Sequence, residues 1–526
     1  MQGVAPSDRM PIVYQTEIGG VTCTRELPFR ILVIGDFTGR LDERPLGERE
    51  TIRVDKASFG AAMAEQDLRV QAVVPNRLTE DGGELQFDLR FRSLEDFNPA
   101  ALAAQMGAPR DHQLSDQLNE ILHHPRVQHL ERAWRGLKFL VDNVDFEQDI
   151  EIAVVNVTKD ELAEDFDMSP TNTRSGLYWH VHRRGYDSSG ASPLGMILGD
   201  YSFDRSPGDI DLLRKVAAIA ATAHAPFVTN TSIRFFGCDS WREVATLKDL
   251  ESLFESPEYD AWNRFRESAD ARYAGLLGPR FLLRLPYGEA LPVEELEFEE
   301  DLTEHEHHLW GGSAFAFATR VADSFAKHRW VANIIGPGTG GMVDNLPRYR
   351  VQDASGSVGD FAAETKFTLR REYELSEQGL ISLVDGGPRG AAFFSANSAQ
   401  KPRLYGKTPE GQQAELTFRL GTMLPYTFMI ARFAHYLKVI HCEYVGVYRE
   451  RSALERDLHQ WLVRQTPAGK PSPFALWGRK RLRDARVEIK EVPGESEFYW
   501  FRLRISPAFN YLGAPFTLSL DGKFER

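Results

Sequence analysis

Glu304-His305-Glu306-His307-His308 is the segment whose residue types come nearest to a metal-ligand set. On a strand, His305 and His307 would project from one face, a geometry in which paired imidazoles take zinc. The spacing lacks the H-E-x-x-H register of a helical zinc site and fixes no third ligand nearby, so the segment reads as a solvated polar connection. Gly336-Pro337-Gly338-Thr339-Gly340-Gly341 follows an apolar run, Val331 to Ile335, that reads as a strand. A phosphate cradle would need a following Lys-Ser/Thr, or G-x-G-x-x-G spacing with a downstream acid. Neither is present, and the segment reads as a structural turn. The acidic residues Glu294, Glu295, Glu297, Glu299, Glu300 and Asp301 lack EF-hand spacing and read as a charged surface. His123-His124 before Pro125 reads as a helix end. No G-x-S-x-G elbow and no local signature of a catalytic cysteine occurs. Nothing here combines a nucleophile, a base and an orienting partner, so the residues point away from catalysis, and no cofactor or metal is expected.

The elements around these segments follow from periodicity. Ile12 to Thr16 is β-prone and is followed by Gly19-Gly20. Arg30 to Ile34 is a continuous apolar run, the mark of a buried strand. Leu85, Phe87, Leu89 and Phe91 alternate with polar residues, as in a half-buried strand. Asp55–Gln66 predicts a short helix, and Asn98-Pro99 starts another that stops at Gly107-Ala108-Pro109, where a boundary is placed. Val127, Leu130, Trp134, Leu137 and Val141 form one helical stripe. Ile150–Val157 reads as a strand, and Thr158 with Glu161 forms a capping box. Residues 168–195 read as a long loop. Helices are expected over Asp209–Ala223, Ser240–Phe254, after Ser256-Pro257, over Ser313–Ala326 and over Gly421–Lys438, and a strand over Phe281–Leu285. Ala485, Val487 and Ile489, then Tyr499, Phe501, Leu503 and Ile505, then Phe516, Leu518 and Leu520 alternate with polar residues. The chain thus begins and ends in amphipathic strands.

The chain has 526 residues, 42% of them hydrophobic and 26% charged, which fits a globular protein of roughly three or four domains. Its 62 basic and 76 acidic residues give a net charge of −14, which disfavours nucleic acid and anionic membranes as main partners. Three cysteines, Cys23, Cys238 and Cys442, make no disulfide framework and suit a reducing compartment. The first residues lack the apolar core of a signal peptide. Arg432, His435 and Lys438 make Leu420–Ile440, the most apolar long stretch, a poor membrane span.

Two stretches carry a family resemblance. Glu26-Leu27-Pro28-Phe29-Arg30-Ile31-Leu32-Val33-Ile34-Gly35-Asp36-Phe37-Thr38-Gly39-Arg40, with Val74-Pro75-Asn76-Arg77-Leu78, resembles the small subunit of the bacterial type VI secretion contractile sheath. From Leu114 the chain resembles the large subunit: Ser115-Asp116-Gln117-Leu118 leads into Leu130-Glu131-Arg132-Ala133-Trp134-Arg135-Gly136-Leu137, and Arg432-Phe433-Ala434-His435-Tyr436-Leu437-Lys438 continues the likeness. Three departures stand out. The small-subunit part ends near Met106 without its usual helical tail. The region ahead of Ser115, where the family's AAA+ ATPase takes hold, is missing. Ala363-Glu364-Thr365 replaces a Pro-Thr-Glu motif.

The resemblance implies an α/β (α+β) fold of mixed sheets packed with helices. It divides the chain into an N-terminal strand arm (1–20), a small-subunit-like part (21–108), a large-subunit-like body (109–475) and a C-terminal strand-arm region (476–526). It implies a cytoplasmic structural subunit, not an enzyme. This subunit polymerises with itself around an inner tube protein, meets baseplate and distal-end cap components, and inserts into no membrane. The sheath of a phage-tail-like or extracellular particle is the alternative, and an enzyme with a dispersed active site a remoter one. Ile12, Val13, Tyr14 and Thr16 are expected to pair with a neighbouring copy, at Val487 and Ile489 or at Tyr499, Phe501 and Leu503, with Gly19-Gly20 as a tether. Arg479, Lys480, Arg481 and Arg483 form the densest basic run. It is either an ordinary solvated face or a surface turned to the inner tube.

Overall fold

The computed structural model describes residues 12–18, 21–79, 83–107, 112–186, 192–294, 296–352, 358–406, 408–443, 450–466, 482–492, 495–509 and 515–525. The apolar run at Arg30 forms strand Phe29–Gly35 inside a nine-stranded sheet. It pairs in parallel with Ile150–Asn156 on one side and Leu194–Phe203 on the other. Phe227–Thr231, Ala274–Gly278 and Leu380–Asp385 continue the parallel order. Antiparallel Gly390–Phe393 and Met342–Asp344 finish one edge, and Ile52–Val54 the other.

Parallel strands are covered on both faces, which is why this strand is apolar throughout. Ile31 and Val33 enter a core with Leu130, Trp134 and Leu137 of helix Pro125–Asp142 and Phe315 of helix Ser313–His328. Leu32 and Ile34 enter the opposite core with Leu162 and Phe166 of helix Lys159–Met168 and Leu213 of helix Pro207–Ala223. A strand from the first hundred residues therefore sits among strands that begin after residue 149. The antiparallel pair Leu68–Pro75 and Glu84–Phe91 adds Val70, Phe87, Leu89 and Phe91 to the first core. The local signals at helix starts hold: Thr158 and Glu161 form a capping box, and the Asn98 side chain accepts from Ala100 N–H.

Four expectations are corrected. Residues 172–186 coil into short helical turns instead of a loop, because Leu177, Tyr178 and Val181 pack into the second core. Val331 to Ile335 is buried at Val331 and Ile334 but is not a strand. The 240–254 helix is two, Trp241–Thr246 and Leu250–Phe254, with an extended break at Leu247 and a new cap at Asp249. The strand at Phe281 stops at Leu282.

A third core lies apart from the other two. It joins Ile12, Tyr14 and Leu27 to helices Leu424–Cys442 and Arg451–Val463 and to a three-stranded sheet. That sheet is ordered Leu482–Val492, Glu495–Pro507, Leu518–Glu525, with Glu495–Pro507 in the middle. No helix among the described residues is long and apolar enough to cross a membrane.

Candidate assembly interface

Helix Leu424–Cys442 organises the third core. It is buried along nearly its whole length yet carries Arg432, His435, Lys438 and His441 at three-residue steps. A polar stripe inside a core needs partners for its donors. The Lys438 ammonium donates to Thr222 O at 2.7 Å, and His435 Nε2 to Ala223 O at 3.0 Å. Those carbonyls close helix Pro207–Ala223, so the stripe caps orphan acceptors at a helix C-terminus, where a cation is favourable. Arg432 donates to Pro28 O at 2.9 Å and also to Leu27 O. His441 stacks on Phe524, ring centroids 4.6 Å apart. One helix thus brackets the body, the N-terminal arm and the C-terminal sheet.

The arm rests on the same helix. Val13–Ile18 pairs antiparallel with Val21–Glu26, with Thr16 opposite Cys23 and Ile18 opposite Val21. Tyr436 Oη accepts from Leu27 N–H at 2.9 Å and donates to Ile12 O. Trp461 Nε1 donates to Val13 O at 3.0 Å. Tyr14 meets Tyr436 edge-on, and Tyr436 stacks on Trp461 with centroids 5.5 Å apart. Burial raises the Tyr14 pKa, with the Glu443 carboxylate a lesser cause.

The arm folds back on its own chain. Within the chain, Val13, Tyr14 and Thr16 pair antiparallel with Val21–Glu26, and Ile12 immediately precedes that strand. Tyr499, Phe501 and Leu503 lie on the central strand of the C-terminal sheet, whose two edges are both paired within the chain. Val487 and Ile489 lie on an outer strand. There the Arg451 guanidinium binds Ile489 O at 3.0 Å and Glu455 accepts from Ile489 N–H at 3.2 Å, which covers part of the edge. Arg483 is exposed, and Arg479, Lys480 and Arg481 lie outside the described residues. The seat residues Tyr436 and Trp461 were not singled out from the sequence. Polar residues spaced by three in an otherwise apolar helix were the available signal.

The segments that resembled chemistry are absorbed into structure. His305 and His307 stand on a 3-10 turn, not a strand, and diverge: His305 stacks on Trp310, and His307 on His123. A third potential ligand comes from Glu364, so His305, Glu306 and Glu364 have donor atoms within 4.8 Å of one another. The Arg280 guanidinium grips both carboxylates there, Glu364 at 2.8 and 2.6 Å and Glu306 at 2.8 and 2.7 Å. Burial alone would raise the Glu364 pKa; Arg280 overrides it and holds the carboxyl at about 2. The cation these acids call for is already supplied by the chain. Glu300 is buried, not a surface residue as its acidic neighbourhood suggested. The glycine turn takes positive φ at Gly336 and Gly340 and binds strand Gly390–Phe393 through Gly336 N–H to Phe393 O, 2.7 Å.

Numbered in chain order, the six parallel strands run 2-1-3-4-5-6 across the sheet, an order whose switch point often opens a ligand crevice at the carboxyl ends. Here the chain closes it. Asn156 accepts from Phe37 N–H at 2.7 Å and donates to Thr38 Oγ1 at 3.0 Å, and Tyr201 Oη donates to Val157 O at 2.8 Å.

Comparison with known proteins agrees with this reading. Residues 105–400 match the family model VipB, "EvpB/VC_A0108, tail sheath N-terminal domain". Residues 413–524 match the tail sheath gpW/gp25-like domain of the same proteins. Residues 2–132 match the model "Type VI secretion system, VipA, VC_A0107 or Hcp2". The sheath protein TssC1 of Pseudomonas aeruginosa is 36% identical over 79% of this chain and 84% of its own length. TssB1 of the same organism is 33% identical over 22% of this chain and 62% of its own. A VipA-N2/VipB contracted sheath structure aligns at 39% identity over 23% of this chain and 89% of that one, TM-score 0.16. The molecule is a structural subunit of a contractile sheath. The chain belongs to the type VI secretion sheath family and holds in one polypeptide the parts matched by the small-subunit and large-subunit models.

Proposed function

We propose that this chain acts as a sheath protomer that carries both subunit parts. It polymerises with itself into a helical tube around an inner tube protein in the cytoplasm and contracts to propel it. The observation that carries this reading is strand Phe29–Gly35. It comes from the segment matched by the small-subunit model and lies in the middle of the sheet built by the large-subunit segment. Residues 21–108 and 109–475 then act as covalently joined subunits in fixed ratio. A heterologous contact that does not close generates a helical filament. The terminal strands 1–20 and 476–526 tether neighbours while bodies rearrange as rigid units, with baseplate and distal-end cap proteins at the two ends. The energy of contraction is stored at assembly, and the chain catalyses nothing. Expressed alone, the full chain should give hollow tubes or short sheath fragments in negative-stain micrographs. A monodisperse monomer across a wide concentration range would count against self-assembly.

The basic run supports a second prediction. Arg479, Lys480, Arg481 and the exposed Arg483 are set to face the inner tube and hold it by charge. Exchanging Arg479, Lys480 and Arg481 for glutamate should leave sheaths assembling but deplete the inner tube that co-purifies with them. Unchanged tube content would make the run an ordinary solvated face.

A further inference from the structure

Helix Leu424–Cys442 meets the body at a small cavity. Its walls include Phe29 at the start of the central body strand, Phe325 and Val331, and Phe428, Arg432 and His435 of the helix itself. These residues come from all three segments that the family models match, 2–132, 105–400 and 413–524. The cavity has room for one water-sized ligand, about 10 Å³ for its centre. Arg432 is 4% exposed and His435 2%, so bulk water reaches neither. They stand three residues apart, on one face of the helix. Each has one polar atom that finds no partner in the chain. Arg432 directs Nη1 to Pro28 O at 2.9 Å and Nη2 to Leu27 O, and its Nε–H meets no acceptor. His435 donates through Nε2 to Ala223 O at 3.0 Å, and burial keeps the ring neutral, with its pKa at about 3. Nδ1 is therefore a bare lone pair, and it meets no donor. Buried polar atoms are so costly to leave unpaired that native folds pair nearly all of them.

We infer that this cavity is a binding site for one buried water molecule, which accepts from Arg432 Nε–H and donates to His435 Nδ1. The chemistry selects the ligand. An anion would satisfy Arg432, but it has no proton for Nδ1 and would face a lone pair there. An ammonium ion would donate to Nδ1 but would be repelled by the guanidinium. A hydroxylated organic molecule needs more room than the cavity offers. Water both accepts and donates, and it fits. The bridge holds the guanidinium plane so that its two terminal nitrogens face the backbone of Leu27 and Pro28, where the N-terminal arm leaves the body. It also holds the imidazole with Nε2 on Ala223 O. Arg432 is thus a positioning residue, and its aim at the arm's root depends on a water that His435 keeps in place. The site joins three parts of a single chain, so it stands whether or not the chain polymerises.

A dry cavity and a wet one answer the same substitution with opposite signs. Val331→Ile, made in the full chain, adds one methyl group at the cavity wall. Filling a dry space improves packing and stabilises. Displacing a bridging water strands Arg432 Nε–H and His435 Nδ1 and destabilises. The Leu27 amide, which donates to Tyr436 Oη, should therefore exchange its hydrogen about tenfold faster in the variant than in the parent. Magnetic relaxation dispersion of the water oxygen, which counts long-lived buried waters, should report one fewer. Overpacking is separated from water loss by a second background, Arg432→Met with His435→Leu, in which the cavity has no polar atom left to strand. There Val331→Ile should be neutral or stabilising. An equal loss in both backgrounds, or an unchanged water count, would overturn the bridge. The parent chain supplies a reading that needs no variant. In a map that resolves ordered water, one peak should lie within hydrogen-bond distance of both Arg432 Nε and His435 Nδ1, and an empty cavity in such a map would overturn the site.

Discussion

Replacing Arg284 with alanine is expected to lower folding stability by about 3–5 kcal/mol, the usual result of removing one partner from a buried ion cluster. Arg284 Nε donates to Glu131 at 2.9 Å, and its two terminal nitrogens grip Glu300 at 2.7 and 3.0 Å. Glu131 is 0% exposed and Glu300 4%, so neither carboxylate has water to fall back on. Arg135 and His123 also touch these acids, and Tyr287 N–H donates to Glu300, but none of them replaces a guanidinium that binds both. Burial alone would push the Glu300 carboxyl up; His123 and Arg284 override it and hold it at about 2. A lowered carboxyl pKa stabilises above its unfolded value, so this contribution is complete above about pH 4.5 and is lost as the pH falls through about 2. The cluster ties helix Pro125–Asp142 to the segment from Arg284 to Glu300. Urea unfolding followed by tryptophan fluorescence measures the effect. A triple variant, Arg284→Met with Glu131→Gln and Glu300→Gln, should recover much of the loss, because the one cation it leaves unpaired, Arg135, is partly exposed to water. A single variant within about 1 kcal/mol of the parent would mean that the acids relax to solvent or neutralise cheaply.

The same residues show what was legible in the sequence and what was not. Strand Phe29–Gly35, the stripe from Val127 to Val141 and the caps at Thr158 and Asn98 are written in local spacing, and each forms as expected. The ion cluster is not, because Glu131, Arg284 and Glu300 meet only through the fold, and nothing about the acidic run distinguishes the buried Glu300 from the exposed Glu294, Glu297 and Glu299. Glu364 is missed as the third member of the His305 group for the same reason. The helical turns over 172–186 were hidden by polar composition, since Leu177, Tyr178 and Val181 are too few to outvote it locally. The arms were read correctly as strands, but alternation says only that a strand has one buried face. Whether that face is covered by the same chain or by another depends on the link, and Gly19-Gly20 serves a hairpin and a tether equally.

Acid should loosen the third core at a pH where the ion clusters still hold. His182, His224, His435 and His441 are all buried on or beside helix Leu424–Cys442. Burial is the main cause that depresses them, to about 3 for His182 and His435, about 4 for His441, and well below the ordinary range for His224. The charges that act on them are cationic: Lys438 on each, Arg183 on His182, Arg432 on His435 and Arg272 on His224. The neighbouring hydroxyls of Tyr273 and Tyr186 are themselves held neutral by burial, and no carboxylate is among these influences to welcome a proton. A histidine whose folded pKa lies below its unfolded value binds its proton only on unfolding. The stability it supports is complete above about pH 6.5 and falls by about 1.4 kcal/mol per pH unit below that, until the folded pKa is reached. Each group that stays neutral in the folded state through this range should remove about 1 kcal/mol between pH 6 and pH 5. Hydrogen exchange over 424–442 and 482–525 should therefore accelerate in this range before exchange in strand Phe29–Gly35 does. His435→Gln keeps a donor for Ala223 O but cannot titrate, so the pH slope of the urea midpoint should flatten by one proton's worth. An unchanged slope, or a body that opens together with the arm, would show that the seam does not set the acid limit. The result bears on assembly as well, because the helix that titrates also forms the arm's seat: if the seam governs it, mild acid should release Val13–Ile18 from Tyr436 and Trp461 while the nine-stranded body stays folded.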